Sequence, residues 1–161
     1  RRCSPPGVPC PRGHAAMLAA EAIEAFSKLM PGEDFADRAE AVMRQHGEVV
    51  ELTPLHTFTP GLYTRTLVVG AGQMAVSKIH NTRHQFVIVQ GCISVWTKET
   101  GVVTLHAPFH GVTEPGTQRV VLAHTDTCWM TFHPTDETDL AVIEDQLIMK
   151  HDNPYLEGGQ P

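Results

Sequence analysis

Between Gly47 and His133 the chain consists of short β-branched and aromatic runs, broken by Gly, Pro or Asn turns at intervals of roughly 8 to 12 residues. This punctuation leaves no room for long helices or βαβ crossovers and predicts an antiparallel sandwich or barrel. The expected strands are residues 62–69, 74–79, 85–90, 92–97, 102–106, 118–123 and 127–132. Leu62-Tyr63-Thr64-Arg65-Thr66 alternates as a half-buried strand does. Phe86-Val87-Ile88-Val89 is apolar throughout and reads as central. Turn signals stand at Gly70-Ala71-Gly72, Gln90-Gly91, Thr100-Gly101 and Pro115-Gly116.

Helical texture flanks this region. Residues 1–13 carry four prolines and are expected as an extended arm. Residues 14–47 are expected to be helical in two pieces. Ala19, Ala22, Ile23, Phe26, Leu29 and Met30 share one face of the first, which Pro31-Gly32 ends. Phe35, Ala39, Val42 and Met43 share a face of the second, with Gly47 as its C-terminal cap. Residues 48–134 form the β-region and 135–149 a last helix, with Leu140, Ile143, Leu147 and Ile148 as its stripe. Thr135 to Asp139 supply capping oxygens at its start, and residues 150–161 are a polar tail. The fold class is therefore mainly β, an antiparallel barrel with N-terminal helices and a C-terminal helix.

Composition narrows the function. Eighteen acidic against twelve basic residues give a formal charge of −6, which disfavours nucleic acid as a partner. No apolar run is long enough to span a bilayer as a helix, and the N-terminus lacks a secretory pattern. Cys3, Cys10, Cys92 and Cys128 are accordingly expected as reduced thiols. The proline-rich arm and polar tail need neighbouring surfaces to order them, so an oligomer or larger assembly is expected.

Ten histidines are the main chemical signal. The stretch Gly72 to Gly91 contains Lys78, His80 and His84, and period-two geometry puts them on one face of an unbroken strand. Three readings stay open. His80 and His84 could recruit a third ligand, such as His124 or His133, around zinc, iron or manganese. Lys78 and Arg119 could instead bind a carboxylate or phosphate. Or these groups could form a hydrogen-bond network with Glu114 and Asp126. His124, Thr125 and Asp126 also read as a tight hairpin connection, and His106 and His110 as rim residues of a strand-end loop. No G-x-S-x-G elbow, phosphate-binding glycine loop or H-E-x-x-H is present.

With Gly91 as anchor, the stretch resembles the first motif of the cupin superfamily, and Pro115-Gly116-Thr117-Gln118-Arg119 resembles the second. The resemblance implies a jelly-roll barrel. It puts Lys78, His80, His84 and Arg119 where the family has four metal ligands, so two cations replace donors. Lys-Ile-His-Asn-Thr-Arg-His (78–84), Ala107 to Arg119 and Ala123 to His133 are together similar to small cupin-like proteins often encoded by bacteriophages. That likeness covers Tyr63 to Ile148 and implies a phage origin. With two metal donors replaced and other catalytic signatures missing, the expected function is a non-enzymatic, structural or binding barrel without cofactor, partnered by its own copies or other virion proteins. A protein not encoded by a phage would be cytoplasmic. The alternative is a metal-dependent cupin enzyme of dioxygenase, isomerase or lyase type, with His80, His84 and His124 around one divalent Zn, Fe or Mn ion.

Overall fold

The β-branched runs do become strands, and their order decides the architecture. The computed structural model describes residues 15–18, 32–50 and 52–156. The expected arm, most of the first helix, Cys3, Cys10 and the end of the tail lie outside them. Ala15–Leu18, expected at the start of that helix, instead forms a strand, β1. Then follow α1 (Phe35–His46), β2 (Gly47–Val50), β3 (Leu55–Thr59), β4 (Leu62–Val69) and β5 (Gln73–Val76). The remaining elements are β6 (His84–Gln90), β7 (Cys92–Thr97), β8 (Gly101–His106), β9 (Phe109–Thr113), β10 (Val120–Ala123), β11 (Thr127–His133) and α2 (Leu140–Leu147).

Strands β4 to β11 make two antiparallel four-stranded layers, ordered β4-β11-β6-β9 and β5-β10-β7-β8. The chain changes layer at every step except the β7–β8 hairpin. That is the winding of a jelly roll, two interlocked Greek keys. β3 extends the first layer beside β4, and β1 and β2 extend the second beside β5. The chain is mainly β, with its helices outside the barrel.

Alternation along the strands divides the core. On β5, Met74 faces outward to α1 and its neighbour Ala75 faces inward, as successive side chains of a strand must. The outer cluster joins Phe35, Ala36, Ala39 and Met43 of α1 to Met74, Trp96 and Val120, with the Phe35 and Trp96 rings 4.4 Å apart. The inner cluster includes Val69, Phe86, Ile88, Ile93, Val95 and Val121. Ile143 and Leu147 of α2 pack on Tyr63 of β4. Asp139 caps α2, its carboxylate accepting from the amides of Ala141 and Val142.

The turn at Gly91 is steric as well as conformational. Its φ is +98°, and a Cβ there would sit 2.5 Å from the Asp126 carbonyl oxygen. Four strands were not expected: β1, in the segment read as helix; β2, which begins at the Gly47 read as a helix cap; β3; and β9, in the segment read as a strand-end loop around His110. β9 is mostly exposed, so its side chains show little alternation of burial. β5 also stops at Val76 rather than at residue 79. The ladder that was to carry Lys78, His80 and His84 on one face is therefore broken, and residues 77–83 are a loop.

Candidate metal centre

That loop is held from two directions. The His80 carbonyl accepts from the Gly116 amide at 2.9 Å, and His80 makes an isolated bridge to Ile148. On either side, Met149 N donates to the Ile79 carbonyl and Asn81 N to the Leu147 carbonyl. The end of α2 thus carries His80 to the mouth of the barrel. His84 opens β6, opposite Thr113 of β9. His133 closes β11, one step beyond the Phe132–Gln85 pair that ties β11 to β6.

These three histidines converge. Each offers one ring nitrogen, and the three nitrogens lie within 4.8 Å of one another. The ring centroids of His80 and His84 are 4.5 Å apart and those of His84 and His133 4.4 Å. Their residue exposures are 8%, 4% and 1%. Nδ1 of His80, Nε2 of His84 and Nδ1 of His133 are buried without a hydrogen-bond partner among the described residues. Such atoms cost free energy unless something pairs with them.

The electrostatics keep the rings neutral. Burial is the largest cause throughout. It lowers His80 to about 3, helped by His84, His133, Arg65 and Arg119, and lowers His133 to about 4, helped by His84 and Arg65. It also lowers His84, a shift that the bond to Thr82 opposes and Arg119 reinforces. A neutral imidazole has a lone pair to donate and a protonated one has none. Tyr63 stacks on His133 at 5.7 Å, and its hydroxyl bonds His56 Nδ1 at 2.7 Å.

His80 and His84 of the triad line a cavity of about 220 Å³. Its wall is largely apolar, with Leu67, Val69, Ile93, Val121 and Trp129, and no acidic side chain among the described residues lines it. Arg65 and Arg119 do. Arg119 is 9% exposed and donates from Nη2 to Thr113 Oγ1 at 3.0 Å.

The residues singled out in the sequence divide between this site and the surface. His80, His84 and Arg119 meet at the cavity. Lys78 lines its edge but is exposed, and its ammonium pairs with the Glu144 carboxylate. His124 is not part of the triad. It is exposed in the β10–β11 turn, where its Nε2 bonds Ser94 Oγ at 2.7 Å. Glu114 and Asp126 do not join a network with the histidines: Glu114 pairs with Arg83 and Asp126 accepts from the Ala71 amide. The third histidine is His133, and one signal pointed to it. Trp129, which lines the cavity, is four residues away on the same strand, so period two puts His133 on the same face. Cys92 and Cys128 are half-buried.

Comparison with protein families and with curated proteins finds no match. Solved structures do match. A cupin-2 domain containing protein from Shewanella frigidimarina is 15% identical, with 52% of this chain and 80% of that one covered and a TM-score of 0.43. The cupin domain of Schizosaccharomyces pombe Cnp3 is 15% identical over 60% and 65%, at 0.42. A salicylate 1,2-dioxygenase from Pseudaminobacter salicylatoxidans is 12% identical over 60% and 29%, at 0.48. The likeness is one of fold. What the site can hold follows from its own side chains.

Proposed function

We propose that His80, His84 and His133 hold one divalent transition metal and that the barrel performs metal-dependent chemistry on a small molecule bound in the cavity. One observation carries this reading: three neutral, buried imidazoles whose nitrogens converge, each ring keeping a buried nitrogen without a partner. Three imidazoles suit zinc or iron, and three protein ligands leave coordination positions open. A metal so bound supplies Lewis acidity, or a redox centre if it is iron or manganese.

The chain's own residues do the rest. The Thr82 carbonyl accepts from His84 Nδ1 and so leaves the lone pair on Nε2. Thr131 Oγ1 bonds His133 Nε2 at 3.1 Å, which leaves Nδ1 of that ring for the metal. The α2 staple keeps His80 in place, and the apolar wall excludes water from the substrate. The reaction type, among dioxygenase, isomerase and lyase, stays with the substrate.

A second reading has its own observation. Arg65 and Arg119 place fixed positive charge near the triad and oppose a cation there. A non-enzymatic barrel binding an anion, as a component of a larger assembly such as a virion, is the function that follows.

Metal stoichiometry decides between them. Protein reconstituted with Zn(II), Mn(II) or, without oxygen, Fe(II) should retain about one equivalent after desalting, and the His133→Ala variant almost none. Retention below about a tenth of an equivalent of every metal ends the first reading.

A further inference from the structure

Arg119 is the least explained charge in the barrel. Its residue is 9% exposed, yet no carboxylate among the described residues forms an ion pair with it. Glu99 acts on it through space but forms no ion pair with it. A buried cation without a paired carboxylate is costly, and a guanidinium cannot escape by losing its proton. Of its five N–H donors, one has a described side-chain acceptor, Thr113 Oγ1.

Its surroundings are built around it. The Phe86 and Trp129 rings stack at 4.6 Å, and the guanidinium carbon lies 5.2 Å from the first centroid and 5.8 Å from the second. Aromatic faces hold an Arg in position without neutralising it. Its backbone is fixed as well, the Arg119 amide donating to Ser77 Oγ and the Ser77 amide to the Arg119 carbonyl. The charge is oriented, supported and without a paired carboxylate, at the wall of a cavity that no acidic side chain among the described residues lines.

We infer that Arg119 anchors an anion subsite beside the histidine triad and that the cavity takes a small, largely apolar monocarboxylate. The inference deepens the reading of the same cavity, but it stands on Arg119 and its clamp and does not need the metal. The carboxylate would accept the free N–H donors of the guanidinium in the two-pronged manner that Arg favours. The body of the acid would lie against Leu67, Val69, Ile93 and Val121. Size permits this: a cavity of about 150 Å³ in an engineered protein takes up benzene, and this one is about 220 Å³. A phosphate, with more oxygens to satisfy and no apolar body, fits such a wall less well.

Calorimetry with benzoate, the neutral benzamide and inorganic phosphate tests the inference on the full chain, both chelator-treated and metal-loaded. Benzoate should bind roughly 10- to 100-fold more tightly than benzamide, the range for bonds to a charged group. The indole N–H resonance of Trp129 should shift on addition, and that of Trp96, packed under α1, should not. Arg119→Met should remove the benzoate advantage and leave benzamide affinity about the same. If that variant does not fold, Arg119→Lys, which keeps charge and loses the fork, should show an intermediate loss. Equal affinity for benzoate and benzamide overturns the inference, as does tighter binding of phosphate. Benzoate binding that needs metal and is unchanged by Arg119→Met also overturns it while upholding the metal centre. Benzoate binding to chelator-treated protein that fails to retain any metal upholds the subsite and ends the metal reading.

Discussion

The carbonyl oxygen of Thr82 accepts the Nδ1 hydrogen of His84 at 3.0 Å, and so determines which nitrogen of that ring carries the lone pair. The acceptor is a main-chain group two residues away, so the tautomer is set by the loop that leads into β6. The same loop carries His80. Its conformation therefore governs two of the three candidate ligands at once.

The identity of the third ligand is the first prediction. His133→Ala should lower metal affinity by well over tenfold, because it removes a direct ligand rather than a supporting group, whose loss costs about 10- to 100-fold. His124→Ala should leave affinity unchanged, since that ring bonds Ser94 at the surface. Competition titration of both variants against a chromophoric chelator reads the difference. Equal effects of the two substitutions would contradict the assignment.

The second prediction concerns acid. His80 and His133 titrate at about 3 and about 4 in the folded chain, against 6.5 ordinarily. Between these limits the unfolded chain binds more protons, so stability falls as pH drops. The loss should begin near pH 6.5 and continue towards pH 3. The slope should approach about 1.4 kcal/mol per pH unit for each ring that is neutral in the folded chain and protonated in the unfolded one. Denaturant melts of chelator-treated protein at several pH values test it, and His80→Gln should flatten the curve.

Gly91→Ala should destabilise the barrel by roughly 2 kcal/mol or more. It forces an L-residue to φ +98° and drives a methyl group into the Asp126 carbonyl and Thr127. Gly61→Ala, at φ +75° but with nothing within 4 Å of the new carbon, should cost less. Thermal melts of the two variants separate conformational strain from steric overlap.

Lys78→Ala should change stability by less than about 1 kcal/mol, because both it and Glu144 are more than half exposed. A double-mutant cycle between the two should give a coupling that fades with added salt.

Trp129→Ala should cost about 2 to 3 kcal/mol, below the roughly 3 to 5 kcal/mol of a fully buried indole. Trp129 is half-buried because one side of it faces the cavity. Chemical denaturation measures the difference.

Much of the barrel was legible because strand punctuation is local. The strands at Leu62–Val69 and Cys92–Thr97 fall where their β-branched runs begin and end. The α1 stripe buries Phe35, Ala39 and Met43 as its spacing predicts. Lys78 escaped the pattern because period-two reasoning holds only while a ladder lasts, and this one ends at Val76. His124 looked like a ligand because it is near in sequence to an inward-facing strand, yet the turn it occupies points to solvent.

By itself the sequence determined most strands of the barrel, the turns between them and the face each side chain takes while its strand lasts, since all three depend on neighbours a few residues apart. The tertiary structure alone decided that β6 and β11 lie side by side, which brings His84 to His133, and that the end of α2 holds the loop carrying His80. Those contacts join distant parts of the chain. Alternation assigns a residue to a face but does not say which strand lies next to it, so the set of histidines that meet is a property of the pairing.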